Sequence, residues 1–409
     1  MATANMHYPP DKIPEPLTYR QAAEKGFDLL AAQYTQKPDV FDGNFWFGGN
    51  ALHACLNYLI TAKKRDTKGI LQAGYAIYNR LKGRPFWWKD DYAWWGIAFT
   101  EALASRNDLE DGPHEKNDKL YGNVQTAAQE CWDELVLNWN KDMPYSRTAD
   151  NANDSADDIR GGVFNSLDSG DDLKGRNSVT NESFWILSQR LARLFPTETK
   201  YSDAATAQHD WFVEWLKFPA THPGKIGILT AGGLVSERPT GSPHCKGWYW
   251  TGDQGLFING LSPTDRQTAY TIASNVMTKM KDDDGVLHEF MTNYPMNHIS
   301  DYATGKGIFM RNLVPLIQGN PAPKGYADAV KFITTNASAI WRHQSAPNQF
   351  TFNWNPKNPE DAKEEPTILS VPPNPEMPYL KQLCNLIMQA SAQDALTAAL
   401  AVAPDEKID

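Results

Sequence analysis

The sequence predicts an all-α protein built as an (α/α)6 barrel, in which six outer helices surround six inner ones. The first observation behind this prediction is the number of helical segments. Apolar residues recur at helical spacing in about twelve segments, whereas Lys225–Leu229 is the one short candidate strand. The predicted helices, with ends good to about three residues, are 17–34, 45–63, 67–82, 90–105, 118–139, 177–195, 201–218, 253–260, 264–279, 302–318, 324–342 and 379–402.

The second observation is an alternation between two kinds of segment. The even-numbered segments begin with clusters of polar and aromatic residues, such as Asn44–Asn50 and Trp248–Gln254. The odd-numbered ones are ordinary amphipathic helices, such as Tyr201–Phe218. Inner helices of such a barrel alternate with outer ones along the chain. We therefore expect the marked starts of the even-numbered helices to meet at one mouth.

Composition and charge narrow the class of protein. Hydrophobic residues make up 41% of the 409 residues, which provides for a large core and argues against global disorder. The net charge of −10 comes without a visible basic stripe, so a nucleic-acid partner is not expected. A neutral polymer such as a polysaccharide fits this charge. No apolar run reaches about 18 residues, so no membrane-spanning helix is expected.

The chain is predicted to form one domain. Residues 1–16 are Pro-rich and expected to be extended, and residues 17–409 form a single (α/α)6 barrel. The Pro-rich stretch 343–377 is followed by only one helix, which is too little for a second domain. Residues 1–16 lack the basic-then-apolar layout of a signal peptide. We therefore expect a cytoplasmic protein, or a secreted one whose signal has been removed.

The stretch Phe86–Glu101 carries the strongest functional signal. Asp90 and Asp91 lie between two Trp pairs. An Asp at a helix start is often a cap, because the unpaired N–H groups and the helix dipole favour negative charge there. The tryptophans favour a glycan site, because sugar rings stack on indole faces. Two carboxyl groups cleave glycosidic bonds, one as general acid and one as nucleophile or base. The indoles expected to contact substrate here are Trp88, Trp94 and Trp95.

Other residues near the even-numbered helix starts are further candidate substrate contacts. They are Trp46, Asn50, Asn181, Tyr249, Trp250, Asp253, Gln254, Lys306 and Arg311. Several have a structural alternative: Asn181 or its neighbour Thr180 could cap a helix, and Asp253 could be an N-cap. Capping does not account for Gln254, whose amide suits sugar hydroxyls.

The cations Lys306 and Arg311 have two interpretations. A charge near a helix start is usually solvated, and the helix dipole does not favour a cation there. If either side chain points inward, it would help to keep a catalytic carboxylate ionised.

No cofactor or metal site is expected. Asp282–Gly285 only faintly resembles a calcium loop and lacks the EF-hand spacing, so we interpret it as a surface turn. The four cysteines are widely separated, and the nine histidines show no zinc-ligand or triad pattern. No P-loop, dinucleotide fingerprint or G-x-S-x-G elbow is present.

These stretches together resemble glycoside hydrolase family 76, the α-1,6-mannanases and related fungal cell-wall transglycosidases. The resemblance rests on KDDYAWWGIAF, NSVTNESFWILSQRLARL, WYWTGDQGLFINGL and GKGIFMRNL. It implies that Asp90 is the nucleophile and Asp91 the acid/base of a retaining mechanism. Two stretches depart from the family pattern: Gly252-Asp253-Gln254 stands where the family usually has Tyr-Asn-Gln, and the Gly-Gly-aromatic loop reads Gly161–Asn165. The resemblance implies that both stretches lie near the substrate.

Three functions are compatible with these observations. The first is a retaining glycosidase or transglycosidase acting on α-linked mannose. The second is an intracellular enzyme on the same scaffold with a small non-glycan substrate and one Asp as acid. The third is a glycan-binding protein without turnover. The intact Asp pair favours an enzyme over the third, while the altered turn at Asp253 leaves the second open. The expected partner is a carbohydrate or another small molecule, and the sequence does not determine the oligomeric state.

Overall fold

The computed structural model describes residues 17–42, 44–84, 88–110, 114–139, 161–165, 176–221, 227–237, 249–289, 299–319, 324–357 and 380–408. Twelve long helices lie in this part of the chain, and we number them in order. They are Tyr19–Gln36 (α1), Phe45–Thr61 (α2), Ile70–Leu81 (α3), Lys89–Ala104 (α4), His114–Val136 (α5), Ser178–Leu194 (α6), Thr199–Thr221 (α7), Thr251–Leu261 (α8), Arg266–Lys279 (α9), Ile299–Gln318 (α10), Tyr326–Arg342 (α11) and Leu380–Val402 (α12). None of these helices combines the length and the hydrophobicity needed to cross a membrane.

Two short elements complete the described helices. They are a 3-10 turn, Pro38–Phe41, and a four-residue helix, Arg106–Leu109. The candidate strand 225–229 is not found as a strand within the described residues. Its first two residues lie outside them, and Leu229 forms an isolated β-bridge with Val235.

The even-numbered helices form a closed inner ring. Each packs against the next one, from α2 through α4, α6, α8 and α10 to α12, and α12 packs against α2. The odd-numbered helices lie outside: α3, α5, α7 and α9 pack on the inner helices that precede them, and α11 and α1 pack on α12. The buried apolar side chains form one cluster that runs from Tyr19 to Ile408. The predicted (α/α)6 barrel is confirmed.

Glycine allows neighbouring inner helices to approach closely. A Cβ atom at Gly255 of α8 would lie 2.8 Å from the Cα of Phe309 in α10. A Cβ atom at Gly307 of α10 would lie 2.5 Å from the Cα of Ser391 in α12. Because side chains in a close-packed interior cannot give way to such overlaps, these two contacts depend on the absence of a side chain.

Four connections lead from an outer helix to the next inner helix through an isolated β-bridge, and we call them the bridged connections. Their bridges are Trp139–Val163, Leu229–Val235, Lys281–Leu287 and Ala346–Gln349. One buried amide side chain holds each connection by accepting a backbone N–H. The four pairs are Asn181 with Val163 (2.7 Å), Gln254 with Val235 (2.7 Å), Asn336 with Leu287 (2.7 Å) and Gln389 with Phe350 (3.1 Å).

The starts of the inner helices lie beside these connections, at one end of the ring that we call the mouth. Each of four inner helices donates a hydrogen bond from its start or second turn to the next bridged connection. The bonds run from Lys89 N to Asn165 O (2.9 Å), Ser178 N to Glu237 O (2.8 Å), Thr251 N to Glu289 Oε2 (3.2 Å) and Lys306 Nζ to Phe352 O (2.6 Å). The expected meeting of helix starts at one mouth is therefore found for α4, α6, α8 and α10.

Candidate active site

Asp90 and Asp91 lie in the first turn of α4, at the mouth, and both are almost fully buried. Asp90 Oδ1 accepts a hydrogen bond from the Thr180 hydroxyl of α6, at 3.0 Å. Asp91 Oδ2 accepts one from the backbone N–H of Trp88, at 3.2 Å. The capping interaction considered from the sequence is therefore made by Asp91, while Asp90 is held across the interface between two inner helices.

Lys89, which precedes the pair, is engaged elsewhere. Its ammonium group forms an ion pair with Glu134 of α5, at 2.8 Å. It also lies 5.8 Å from the ring centre of Tyr92. Its backbone N–H donates to Asn165, which fixes the first residue of α4 against a bridged connection.

Three of the predicted indoles surround the start of α4. Trp88 is the residue before the helix and is partly exposed. Trp94 follows Asp90 by four positions, so both side chains leave the helix on the same face. The ring of Trp94 lies 5.2 Å from that of Trp46, at the start of α2, with an angle of 32° between their planes. Trp46 and Trp94 are buried beside the Asp pair, whereas Trp88 keeps part of its surface exposed.

Trp95 is corrected from a substrate contact to a core residue. Its side chain is fully enclosed, and its indole N–H donates to the carbonyl of Phe45 at 2.9 Å. Its ring packs against Phe45, Tyr78 and Phe99. One position along a helix turns a side chain by about 100°, which separates Trp95 from Trp94.

Asn181 and Gln254 are also corrected, because the backbone uses their amides. Asn181 accepts hydrogen bonds from Val163 N and from the Gln208 side chain, and it donates to the carbonyls of Val163 and Asn177. Gln254 accepts from Val235 N and donates to the carbonyls of Val235 and Trp250. Both side chains are fully buried.

The helix cap of α6 also differs from the expectation. The cap is neither Thr180 nor Asn181. It is Asn177, whose side chain accepts the N–H of Thr180 at 3.3 Å.

Asn50 and Arg311 form a buried polar link between three inner helices. Arg311 of α10 pairs with Asp394 of α12 at 3.1 Å and donates to Asn50 of α2 at 2.7 Å. Burial raises the pKa of Asp394 to about 7, although the Arg311 guanidinium lowers it. Arg311 therefore stabilises the charge of Asp394, and we correct its expected roles as a substrate contact and as the partner of a catalytic carboxylate.

Lys306 lies on the far side of the mouth, in a pocket of aromatic rings and a buried carboxyl group. Its ammonium group is 4.3 Å from the ring centre of Phe352 and 4.7 Å from that of Trp354. Glu289 accepts hydrogen bonds from the backbone N–H and the hydroxyl of Thr251. Burial raises the pKa of Glu289 to about 8, although Thr251 and the charge of Lys306 lower it.

Tyr249 and Trp250 precede α8 in the same region. Burial raises the pKa of the partly buried Tyr249 hydroxyl, and the Glu289 charge adds to this effect. The ring of Trp250 lies over Gly252, because a Cβ atom there would be 2.4 Å from it. This position, where the family resemblance leads one to expect a larger residue, therefore has to be small for the indole to fold back.

Asp253 belongs to a second group of carboxyl groups between α6 and α8. Asp253 and Glu182 are fully buried, and Glu237 is nearly so. Burial raises the pKa of Glu182 well above its usual value, and the charges of Asp253 and Glu237 raise it further. These surroundings therefore favour the neutral form of Glu182.

The sequence interpretation missed Asn165, Glu237 and Glu289, which occupy one recurring position. Each follows by two residues the bridge residue of its connection, which is Val163, Val235 or Leu287. Three residues with an apolar first and a polar third member are too short a signal to find without the fold. Within the described residues, no three His, Cys, Asp or Glu side chains converge as a metal site.

Comparison with known proteins identifies this arrangement of helices. No protein-family model matches the chain, and no curated protein sequence does either. Solved structures do match: the GH76A α-1,6-mannanase from Salegentibacter sp. HEL1_6 has a TM-score of 0.62 at 16% identity, over 94% of this chain and 99% of that one. The chain has the fold of the family 76 glycoside hydrolases. The resemblance of the sequence to family 76 is thus confirmed at the level of the fold.

Two further structures add information about relatives with this fold. An inactive variant of the same mannanase, in which two consecutive aspartates are replaced by asparagine, was solved with α-1,6-mannotriose; it has the same TM-score, identity and coverage. Dfg5 from Chaetomium thermophilum, solved with glucosamine, has a TM-score of 0.62 at 15% identity, over 95% of this chain and 92% of that one.

Proposed function

We propose that the protein is a retaining glycoside hydrolase or transglycosidase that acts on α-1,6-linked mannose through Asp90 and Asp91. The observation that carries the proposal is the position of the two carboxyl groups. They lie side by side at the mouth of a family 76 barrel, next to Trp88 and to the buried, mutually tilted indoles of Trp46 and Trp94. The mannanase variant solved with α-1,6-mannotriose is inactive and has two consecutive aspartates replaced by asparagine, and Asp90 and Asp91 are likewise consecutive.

In the first step, the Asp90 carboxylate attacks the anomeric carbon of the sugar. The bond from that carbon to the glycosidic oxygen breaks, and a covalent glycosyl–Asp90 intermediate forms. The hydrogen bond from Thr180 favours the ionised form of Asp90, which is the form that attacks. Thr180 is therefore a positioning residue.

Asp91 supplies the proton for the leaving group. Its Oδ2 accepts the Trp88 N–H, so we assign the transferred proton to Oδ1. In the second step, Asp91 takes a proton from water or from an acceptor sugar hydroxyl. That oxygen then attacks the anomeric carbon and releases Asp90, so that both carboxyl groups return to their starting states.

Aromatic side chains provide the remaining proposed contacts. Indole and phenol rings offer apolar surface to the C–H face of a sugar ring. We assign this role to Trp46, Trp88, Trp94, Tyr249 and Trp250. Lys306 completes the far side of the mouth, next to Glu289.

Turnover of α-1,6-mannotetraose tests the proposal. We expect the wild-type protein to release products whose first-formed anomeric configuration, followed by NMR, is retained. Asp90→Asn should lower kcat/KM by about 10³-fold or more, because the nucleophile is lost. Asp91→Asn should impair turnover least on an aryl α-mannoside with a good leaving group, which needs no protonation.

A matched control is Asp265→Asn, another aspartate at a helix start. Asp265 caps α9 on the outside of the barrel by accepting the N–H of Thr268, and asparagine caps equally well. Its variant should keep wild-type kinetics. Inverted product configuration, or near-normal turnover by Asp90→Asn, would contradict the mechanism. Action on non-glycan substrates alone would instead support the second hypothesis, and mannotetraose binding without turnover the third.

A further inference from the structure

The bridged connection that contains Asn165 is held rigidly against the catalytic helix. The Asn181 amide binds both the N–H and the carbonyl of Val163. Phe164 donates its N–H to the carbonyl of Asn138, at 3.2 Å, and its own carbonyl accepts the Asn138 amide, at 3.1 Å. The carbonyl of Asn165 accepts the N–H of Lys89, at 2.9 Å. The backbone of 163–165 is therefore fixed next to the residue that precedes Asp90.

The side chain of Asn165 differs from those of the other buried amides. It is fully enclosed, yet neither its oxygen nor its nitrogen has a hydrogen-bond partner. Asn181, Gln254 and Gln389, which also lie at the mouth, are bonded through both atoms. Among the buried amide side chains of the described residues, Asn165 alone lacks partners at both atoms.

An amide in this state calls for an explanation, because nearly all buried polar groups in folded proteins are paired. The segment 163–165 does not need a hydrogen bond from the Asn165 amide to hold its position, because its backbone is already bonded on both sides. One carbonyl oxygen and one NH2 group form an acceptor and two donors in a single plane. Neighbouring hydroxyl groups of a sugar can use both, since each hydroxyl donates and accepts.

We propose that the side-chain amide of Asn165 binds hydroxyl groups of the sugar residue that lies against Asp90 and Asp91, and so helps to determine which sugar is accepted. The inference rests on the proposed function, because it takes the Asp pair as the reacting centre. Asn165 would act in substrate recognition, since its amide takes no part in breaking the glycosidic bond.

Calorimetric titration with α-1,6-mannotriose tests this role in protein that carries Asp90→Asn, so that the ligand is not consumed. We expect the added change Asn165→Ala to weaken binding roughly 5- to 100-fold, the range for a lost hydrogen bond in a buried site. Monodeoxy mannotrioses identify the partner. For the analogue that lacks the paired hydroxyl, Asn165→Ala should cause no further loss.

The control is Asn275→Ala, whose amide donates to the carbonyl of Gly233 in another bridged connection, at 3.1 Å. It should leave mannotriose affinity unchanged. Because the Asn165 amide makes no hydrogen bond in this structure, Asn165→Ala should leave the Tm within a few degrees of the parent value. If Asn165→Ala lowers the Tm strongly and leaves affinity unchanged, the amide is structural and the inference is wrong. If the Asp90→Asn parent binds no mannotriose, the proposed function fails, and the inference falls with it.

Discussion

At the scale of single residues, Glu182 is a buried carboxyl group at the mouth whose surroundings favour its neutral form. The side chain is fully enclosed near the start of α6, and neither carboxyl oxygen has a hydrogen-bond partner. Burial and the nearby Asp253 and Glu237 raise its pKa well above its usual value. The folded protein thus retains a proton that the unfolded chain loses above a pKa of about 4.3. The stability that this proton contributes is present in full below that pH and is lost as the pH rises through the folded pKa.

Glu182→Gln should remove this pH dependence, because glutamine stays neutral at every pH. Relative to the variant, the free energy of unfolding of the wild-type protein should fall by up to about 1.4 kcal/mol per pH unit, from about pH 4.3 up to the raised pKa of Glu182. Urea unfolding of both proteins at pH 5, 6, 7 and 8 measures the difference. Glu198→Gln, at a partly exposed carboxylate that pairs with Lys200, is the control for a Glu→Gln change outside the buried group. A difference that stays constant with pH for Glu182→Gln would refute the assignment.

The roles of single residues were only partly predictable from the sequence, because a residue's role depends on the direction in which its side chain leaves the helix. The position of Asp90 and Asp91 in the first turn of a helix at the mouth was predicted. The adjacent indoles of Trp94 and Trp95 look equivalent in sequence and both are buried. Trp94 packs against Trp46, whereas Trp95 packs among other rings and donates to the Phe45 carbonyl. Gln254 stands at an inner-helix start, where a ligand-binding amide would also stand, but its amide holds backbone groups.

At the scale of elements, the bridged connections depend on their amide side chains. Gln254 satisfies the N–H and the carbonyl of Val235, both within the interior, and also bonds the carbonyl of Trp250. Water cannot replace these bonds at a fully enclosed side chain. The Gln254 amide therefore pairs the N–H and the carbonyl of Val235, as the backbone of a neighbouring β-strand would do.

Gln254→Leu should destabilise the protein strongly, because it leaves buried backbone groups without partners. We expect a loss of about 2–4 kcal/mol in the free energy of unfolding, measured by urea denaturation. Gln125→Leu, on the exposed face of α5, is the control and should change stability by no more than about 0.5 kcal/mol. Equal effects of the two substitutions would mean that the amide does not support the connection.

The helices themselves were predicted well, since apolar periodicity is a local property of the chain. The segment expected at 253–260 is Thr251–Leu261, and the one expected at 302–318 is Ile299–Gln318. The bridged connections were not predicted, because each bridge pairs single residues and its stability comes from an amide that is distant in sequence. Val163 and Asn181, for example, are 18 positions apart.

At the scale of the whole molecule, the barrel is a ring that the last helix closes. α12 packs against α10, α2 and α1. The first and last described segments also meet: Tyr19 N donates to Glu406 O, and Ile408 N donates to Leu17 O. The alternation of marked and ordinary helices in the sequence predicted the ring, because inner and outer helices alternate along the chain of an (α/α)6 barrel. How closely two inner helices approach depends on single positions that the alternation does not show.

Gly307→Ala tests whether closure of the ring requires a residue without a side chain at the α10–α12 contact. The new Cβ atom would lie 2.5 Å from the Cα and 2.6 Å from the carbonyl oxygen of Ser391, so the two helices must separate. We expect the free energy of unfolding to fall by about 1–3 kcal/mol, the usual cost of overpacking.

Gly122→Ala is the matched control, because it also adds one methyl group within a helix, but with nothing within 4 Å. It should stabilise the protein by about 0.5–1 kcal/mol through helix propensity. The opposite signs separate packing at the closure from a general effect of replacing glycine. If Gly307→Ala also stabilised the protein, the α10–α12 contact would tolerate a side chain.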